Sequence, residues 1–318
     1  MGASAFFKSH NRAALALHED FVRYVELDGD LSGLKMRRKL QAPAGGTAVK
    51  RDSLADVGAL LPVFESIGSS LEGGFKAPVN LGIPSRDILI RVIEMPEMDM
   101  ENAREALRWD FEKFFPYAYA DAAVDIARVD SPAQTEQDKM SVLVAACRLR
   151  TVESLMRIAA SVGMELNAIE PLNVSMFRAG LGPVSAYSGG YLAVFADKEV
   201  SQLVLGYRDN GILYRTSLID IPESAEAGAE AGKDYGALVR EIGNTLTFVK
   251  NQYRDLSVDL IMTGGGYGRD AGFQKALEEA TGLKTLAVNV WDTWGIAEPD
   301  DGNNSWEAAI GLAVRDLL

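Results

Sequence analysis

One pattern occurs twice in this chain and restricts its fold more than any other feature. Residues 13–40 read as an apolar alternating strand, a charged break, a second strand, a turn and a third strand: "ALALHEDFVRYVEL", "DGD", "LSGLKMRRKL". Residues 190–219, "GYLAVFADKEVSQLVLGYRDNGILYRTSLI", repeat that order, with "ADKE" as the break and "RDNG" as the turn. Alternation with a period of two sends successive side chains to opposite faces of a sheet. A chain holding this unit once in each half is expected to fold as two like halves. At 318 residues it suits two or three subdomains, each able to bury its own interior.

Around the two copies, strands alternate with helices, which implies α/β layers with partly parallel sheets. After the first copy, Leu54, Val57, Leu60, Leu61 and Phe64 recur at helical spacing, with Ser53 as the expected N-cap, and "PVNLGIP" follows as a strand. The pattern then changes. "DILIRVIEMP" is a strand, and "DMENAREALRWDFEKFFP" a helix that Asp99 can cap, with Ala103, Leu107, Phe111 and Phe114 on one face. Two strands, "AAVDIARVDS" and "KMSVLVAACRL", flank a polar loop, and "TVESLMRIAASVG" is a helix with Thr151 as N-cap and Gly163 at its stop. This strand-helix-strand-strand-helix block reads as an insertion. The expected organisation is 1–82 plus 166–188 as a first subdomain, 83–165 as an inserted α+β subdomain, and 189–318 as a second subdomain. The second contains a small-residue acidic loop at 222–234, a long helix from 234, the strand "VDLIMTGGGYG", the helix "AGFQKALEEATG", the strand "KTLAVNVWD" and a closing helix "SWEAAIGLAVRDLL".

Composition excludes several classes of function. A formal charge of −13 and a pI near 4.8 oppose nucleic-acid binding, which needs a basic surface, and would repel an anionic bilayer. No window offers the roughly 20 consecutive apolar residues of a membrane span. The N-terminal "MGASAFFKSHNR" lacks a signal-peptide h-region and the Ser or Thr of a myristoylation signal, so the expectation is a cytoplasmic protein that meets membranes only through partners. A single cysteine, Cys147, excludes an internal disulfide and reads as a buried apolar residue. With only His10 and His18, histidine-based metal sites are excluded too.

Three groups of residues bear on chemistry. In "IMTGGGYGRDAGF" a buried strand runs into Gly264, Gly265 and Gly266 and then a helix. Such a loop presents backbone N–H groups at a strand's carboxyl end and lets a ligand approach closely. It equally serves as a tight strand-to-helix turn, and it is neither a GxGxxG nor a Walker A loop. The triplet His18-Glu19-Asp20 could be a general acid/base group, but adjacent side chains on extended backbone point apart, so an ordinary turn is expected. Trp109 and Phe115 fall off the stripe of their helix and could line a groove for a partner peptide, although packing within the chain is the favoured reading.

Two strand-turn-strand units facing one another across a cleft, with a glycine loop after a later strand, are how an actin-like fold holds ATP. The chain further resembles the PilM family of type IV pilus assembly proteins, relatives of the division protein FtsA. The resemblance covers nearly the whole length: "VRYVEL", "GIPSRDILIRVIEMP", "ALRWDFEKFFPY", "VLVAACRLRTVESLMRIAASVGMELNAIEPLNVSMFRA", "LIMTGGGYG" and "AAIGLAVRDLL". It implies an α/β, actin-like (ribonuclease H-like, duplicated) fold in which 83–165 is the subdomain peculiar to FtsA and PilM. It also implies a cytoplasmic scaffold of a pilus machine that docks the N-terminal tail of a PilN-like inner-membrane protein and meets other pilus assembly proteins. Gly264, Gly265 and Gly266 would lie on the adenosine side of its ATP cleft.

The departures from the family fall where nucleotide phosphates would sit. The first hairpin of the family reads like "GIDIGSSSVKLVEL"; matched back from Val25-Glu26-Leu27, its aspartate falls on Ala16, its glycine on His18, and its serines on Glu19, Asp20 and Phe21. In the second hairpin the aspartate becomes Ala196 and the glycine Lys198. A carboxylate about 4 Å from a phosphate oxygen, at an effective dielectric near 20, opposes binding by about 4 kcal/mol. The expectation is therefore no cofactor, or ATP with magnesium held weakly, no catalytic and no metal-binding residues, and a pseudo-ATPase scaffold. Two alternatives remain: a working ATPase of the same family in which Lys198 replaces lost groups, and the cytoplasmic domain of a type II secretion L-type protein.

Overall fold

The computed structural model describes residues 12–132, 138–184, 187, 189–222, 233–297 and 305–317. The N-terminal segment with His10 and most of the acidic loop 222–234 and of the polar loop after residue 131 lie outside the described residues. Two five-stranded sheets dominate. The first has the order β3-β2-β1-β4-β8, from Gly33–Pro43, Phe21–Asp30, Arg12–Leu17, Val79–Ile83 and Leu166–Pro171. The second has the order β11-β10-β9-β12-β13, from Asn210–Ser217, Ser201–Tyr207, Gly190–Ala196, Val258–Gly264 and Lys284–Ala287. In each, an antiparallel meander is extended by parallel strands, β1 with β4 and β9 with β12. The repeat in the sequence is thus a repeat in topology.

Successive side chains of β1 enter two different cores, so the strand is buried on both faces. Along β1, Ala13, Leu15 and Leu17 join Leu60, Phe64 and Ile67 of α1 (Leu60–Ser70) in one core. Ala14 and Ala16 point the other way, into a core shared with Tyr191, Ala193 and Phe195 of β9. Between the sheets in that shared core lie α4 (Leu172–Ala179) and α8 (Glu307–Ala313). Although α8 is near the end of the chain, it packs on β1, β2 and β4 and crosses α4. The crossing depends on Gly311, where a Cβ would stand 1.8 Å from the Ser175 carbonyl oxygen. The alternate face of β9, Leu192, Val194 and Ala196, packs on α5 (Gly236–Gln252) and α6 (Ala271–Thr281).

A third sheet, β5-β7-β6, is built from Ile88–Pro96, Lys139–Arg148 and Ala122–Val129. Helix α2 (Met100–Phe114) lies over it, with Asp99 as N-cap accepting from the Asn102 amide. Cys147 is buried in the α1 core, and burial pushes its thiol up to about 11.

Several local expectations are corrected. Ser53 caps nothing: its hydroxyl donates to Asp87, and Asp56 caps a short 3-10 turn before α1. Thr151 lies inside α3 (Leu149–Ser161) rather than before it. Phe115 is buried and stacked on Phe111 with ring centroids 4.6 Å apart, while Phe114 is turned outward. The helix ends at Phe114, so the extended backbone at Phe115 swings that ring back under the helix. "VNVWD" does not continue its strand. Asn289 accepts from the Trp291 and Asp292 amides and starts a short helix, α7 (Val290–Trp294).

Candidate functional site

The two hairpin turns face one another across a cavity of about 170 Å³, floored by Leu172 and Met176 of α4. In the first turn the His18 amide donates to the Phe21 carbonyl at 2.9 Å. The His18, Glu19 and Asp20 side chains diverge. His18 lies against the Phe21 ring, Glu19 Oε2 accepts from the Arg51 amide at 2.6 Å, and Asp20 is exposed. Burial, aided by the Arg23 guanidinium, drives His18 down to about 3, so the ring is neutral near pH 7. Its Nε2 is buried with no hydrogen-bond partner. The triplet lines the cavity but shares no hydrogen-bond partner.

The second turn closes with the Asp197 amide donating to Val200 at 3.2 Å. Lys198 is exposed, 4.0 Å from Glu199. The cavity walls hold five carboxylates, Glu19, Asp20, Asp52, Asp197 and Glu199, against Lys198 as the one cation among the lining residues. Such a wall opposes a polyanion. Among the described residues, no group of three or more His, Cys, Asp or Glu is placed to hold a metal.

Beside the second turn runs the glycine loop. Gly264 ends β12 and Gly265 takes φ +78°, a left-handed conformation suited to glycine. The Gly265 amide donates to Glu307 Oε1 at 3.0 Å, and the Gly266 amide to Asp197 Oδ1 at 2.8 Å. The Tyr267 amide donates to the Ala196 carbonyl at 3.0 Å. Gly264, Gly265 and Gly266 are thus brought against the second hairpin, and their amide donors are engaged by the chain itself.

Three residues that the sequence reading passed over organise this region. Arg23, in the buried core of β2, donates to the Ser305 carbonyl and, at 2.7 Å, to its hydroxyl. Its guanidinium lies 4.1 Å from the Phe21 ring centroid and 4.8 Å from that of Trp306, which fixes the entry to α8. Glu307 is 1% exposed, and burial pushes it up to about 7. Asp52, at φ +56°, is buried and pushed up to about 6 for the same reason. The available signal was a charge inside an apolar run, as in "FVRYVEL" and "SWEAAIGLA"; buried charges need partners.

Two like sheets, opposed hairpin turns, a glycine loop beside the second turn and an inserted α+β unit define an actin-like fold. Among solved structures, a chain of the PilM-PilN type IV pilus biogenesis complex matches this one with a TM-score of 0.76 and 17% identity, over 98% of this chain and 99% of that one. A Bacteroides thetaiotaomicron protein with an actin-like ATPase fold and unknown function matches at 0.52 and 10% identity, over 98% and 99% of the two chains. The cytoplasmic domain of EpsL, an inner-membrane component of the Vibrio cholerae type II secretion system, reaches 0.49 with 9% identity over 95% and 94%. No family model and no curated protein sequence matches the chain. No described helix is long and apolar enough to cross a membrane.

Proposed function

We propose that this chain is a PilM-like scaffold of a type IV pilus assembly machine. It docks the N-terminal tail of a PilN-like inner-membrane protein, stands in the cytoplasm against that membrane through its partners, and works without ATP turnover. The observation that carries the first part is the match to a chain of the PilM-PilN complex over nearly the full length of both chains. The second part rests on the cleft. Its turns carry carboxylates where phosphate oxygens would come, its amide donors are engaged, and Lys198 sits beside Glu199. These residues do not fit a magnesium nucleotide.

Two titrations test the reading. The synthetic N-terminal peptide of the PilN-like protein from the same organism, followed by fluorescence anisotropy, is expected to bind with micromolar affinity. No binding at high micromolar peptide overturns the docking assignment. Calorimetry with Mg·ATP is expected to give no heat of binding, and micromolar affinity with phosphate release would return the chain to the ATPases.

A further inference from the structure

The glycine loop has the form of an anion site. Successive amides beginning at a left-handed glycine point outward together, an arrangement that elsewhere cradles phosphates and other oxyanions. Here the acceptor oxygens belong to the chain. Glu307 Oε1 takes the Gly265 amide and Asp197 Oδ1 the Gly266 amide. The glycines also pack tightly against the second hairpin. A Cβ on Gly264 would lie 2.5 Å from Phe195, one on Gly265 2.6 Å from the Ala196 carbonyl oxygen, and one on Gly266 2.8 Å from Asp197 Oδ1.

The two carboxylates come from different places. Asp197 follows β9 in the same half as the loop, whereas Glu307 opens α8, the helix packed on the first sheet. The Glu307 contact therefore joins the halves. Their mutual repulsion is offset by Arg23, whose positive charge acts on both and whose bonds to Ser305 set the position of α8.

We propose that the Glu307 and Asp197 carboxyl groups are resident acceptors: they supply from within the chain the oxygens that a ligand would bring to this loop, and so keep its amides occupied without any ligand. Occupancy of the loop is then a fixed property of the fold. The inference rests on the loop geometry and does not require the PilN-like partner, so a failed peptide titration leaves it standing.

The test is amide hydrogen exchange on the full chain, with inorganic pyrophosphate and Mg·ATP as probes. In the wild type the Gly265 and Gly266 amides are expected to be protected, and neither probe at millimolar concentration should change their exchange or the melting temperature. In Glu307→Ala with Asp197→Ala the two amides should exchange about tenfold faster or more, as expected for loss of hydrogen bonds to charged acceptors. Pyrophosphate should then restore protection and raise the melting temperature. Should that double variant fail to fold, Glu307→Gln and Asp197→Asn, compared with the wild type at pH 8, above the Glu307 value of about 7, should each speed exchange at the amide facing them. Three results overturn the proposal: fast exchange of these amides in the wild type, protection or thermal stabilisation of the wild type by either probe, or unchanged loop exchange in every variant.

Discussion

Asp52 of the first half accepts a hydrogen bond at 2.9 Å from Gln202 of the second, across 150 residues of sequence. The same carboxylate accepts from Thr216 Oγ1 at 3.1 Å and, through its other oxygen, from the Ser85 amide at 3.1 Å. Asp52 is thus a second tie between the halves, and it lines the cavity between the two turns. Asp52→Ala should cost about 2 kcal/mol, because the Ser85 amide and the Gln202 amide group lose a buried acceptor. Urea unfolding at pH 7 measures it, and a loss below about 0.5 kcal/mol would show that the tie carries no weight.

Glu307 gives a pH dependence of definite sign. Its folded value is raised to about 7 from an ordinary 4.5, mainly by burial. A raised carboxyl contributes stability that is complete below the unfolded value and lost as pH climbs through the folded one. Between about pH 4.5 and 7 this single group should remove about 3 kcal/mol, at 1.36 kcal/mol per unit. Glu307→Gln cannot titrate. The wild-type-minus-variant difference in unfolding free energy should fall across that window, and a flat difference would refute the buried titration.

His18 acts with the opposite sign. Its folded value is depressed to about 3, by burial first and Arg23 second. Stability from the neutral ring is present above the unfolded value near 6.5 and lost as pH falls toward 3. In the range where the two windows overlap, the effects of His18 and Glu307 partly cancel. His18→Gln should therefore be the more acid-resistant protein, with an unfolding midpoint in acid at lower pH than that of the wild type. An unchanged midpoint would mean that the ring is accessible to protons in the folded state.

What could be read from the sequence and what could not divides along range. The two like sheets were legible because each strand-turn-strand unit is a run of apolar segments with polar breaks within one local stretch, and α2 because Asp99 and a periodic stripe lie within one segment. The HED turn was legible as a turn for the same local reason. The contact of Glu307 with Gly265 was not. It joins residues 42 apart whose meeting depends on α8 crossing to the other sheet. Gly264 to Gly266 were visible as a loop able to receive an anion, but which anion is a matter of tertiary packing. Phe114 and Phe115 were exchanged because a helical stripe cannot reveal the residue at which the helix stops.

That exchange leads to a final contrast within α2. Phe111 is fully buried, stacked on Phe115 and edge-on to Tyr119 at 5.3 Å. Trp109, two residues earlier, is 88% exposed. Phe111→Ala should cost about 3–5 kcal/mol, from lost transfer free energy and the cavity left behind. Trp109→Ala should change stability by no more than about 0.5 kcal/mol, since no buried contact is removed. Denaturant unfolding of the two single variants decides it. Equal losses would mean that Trp109 packs against something in solution and that the outer face of α2 is covered.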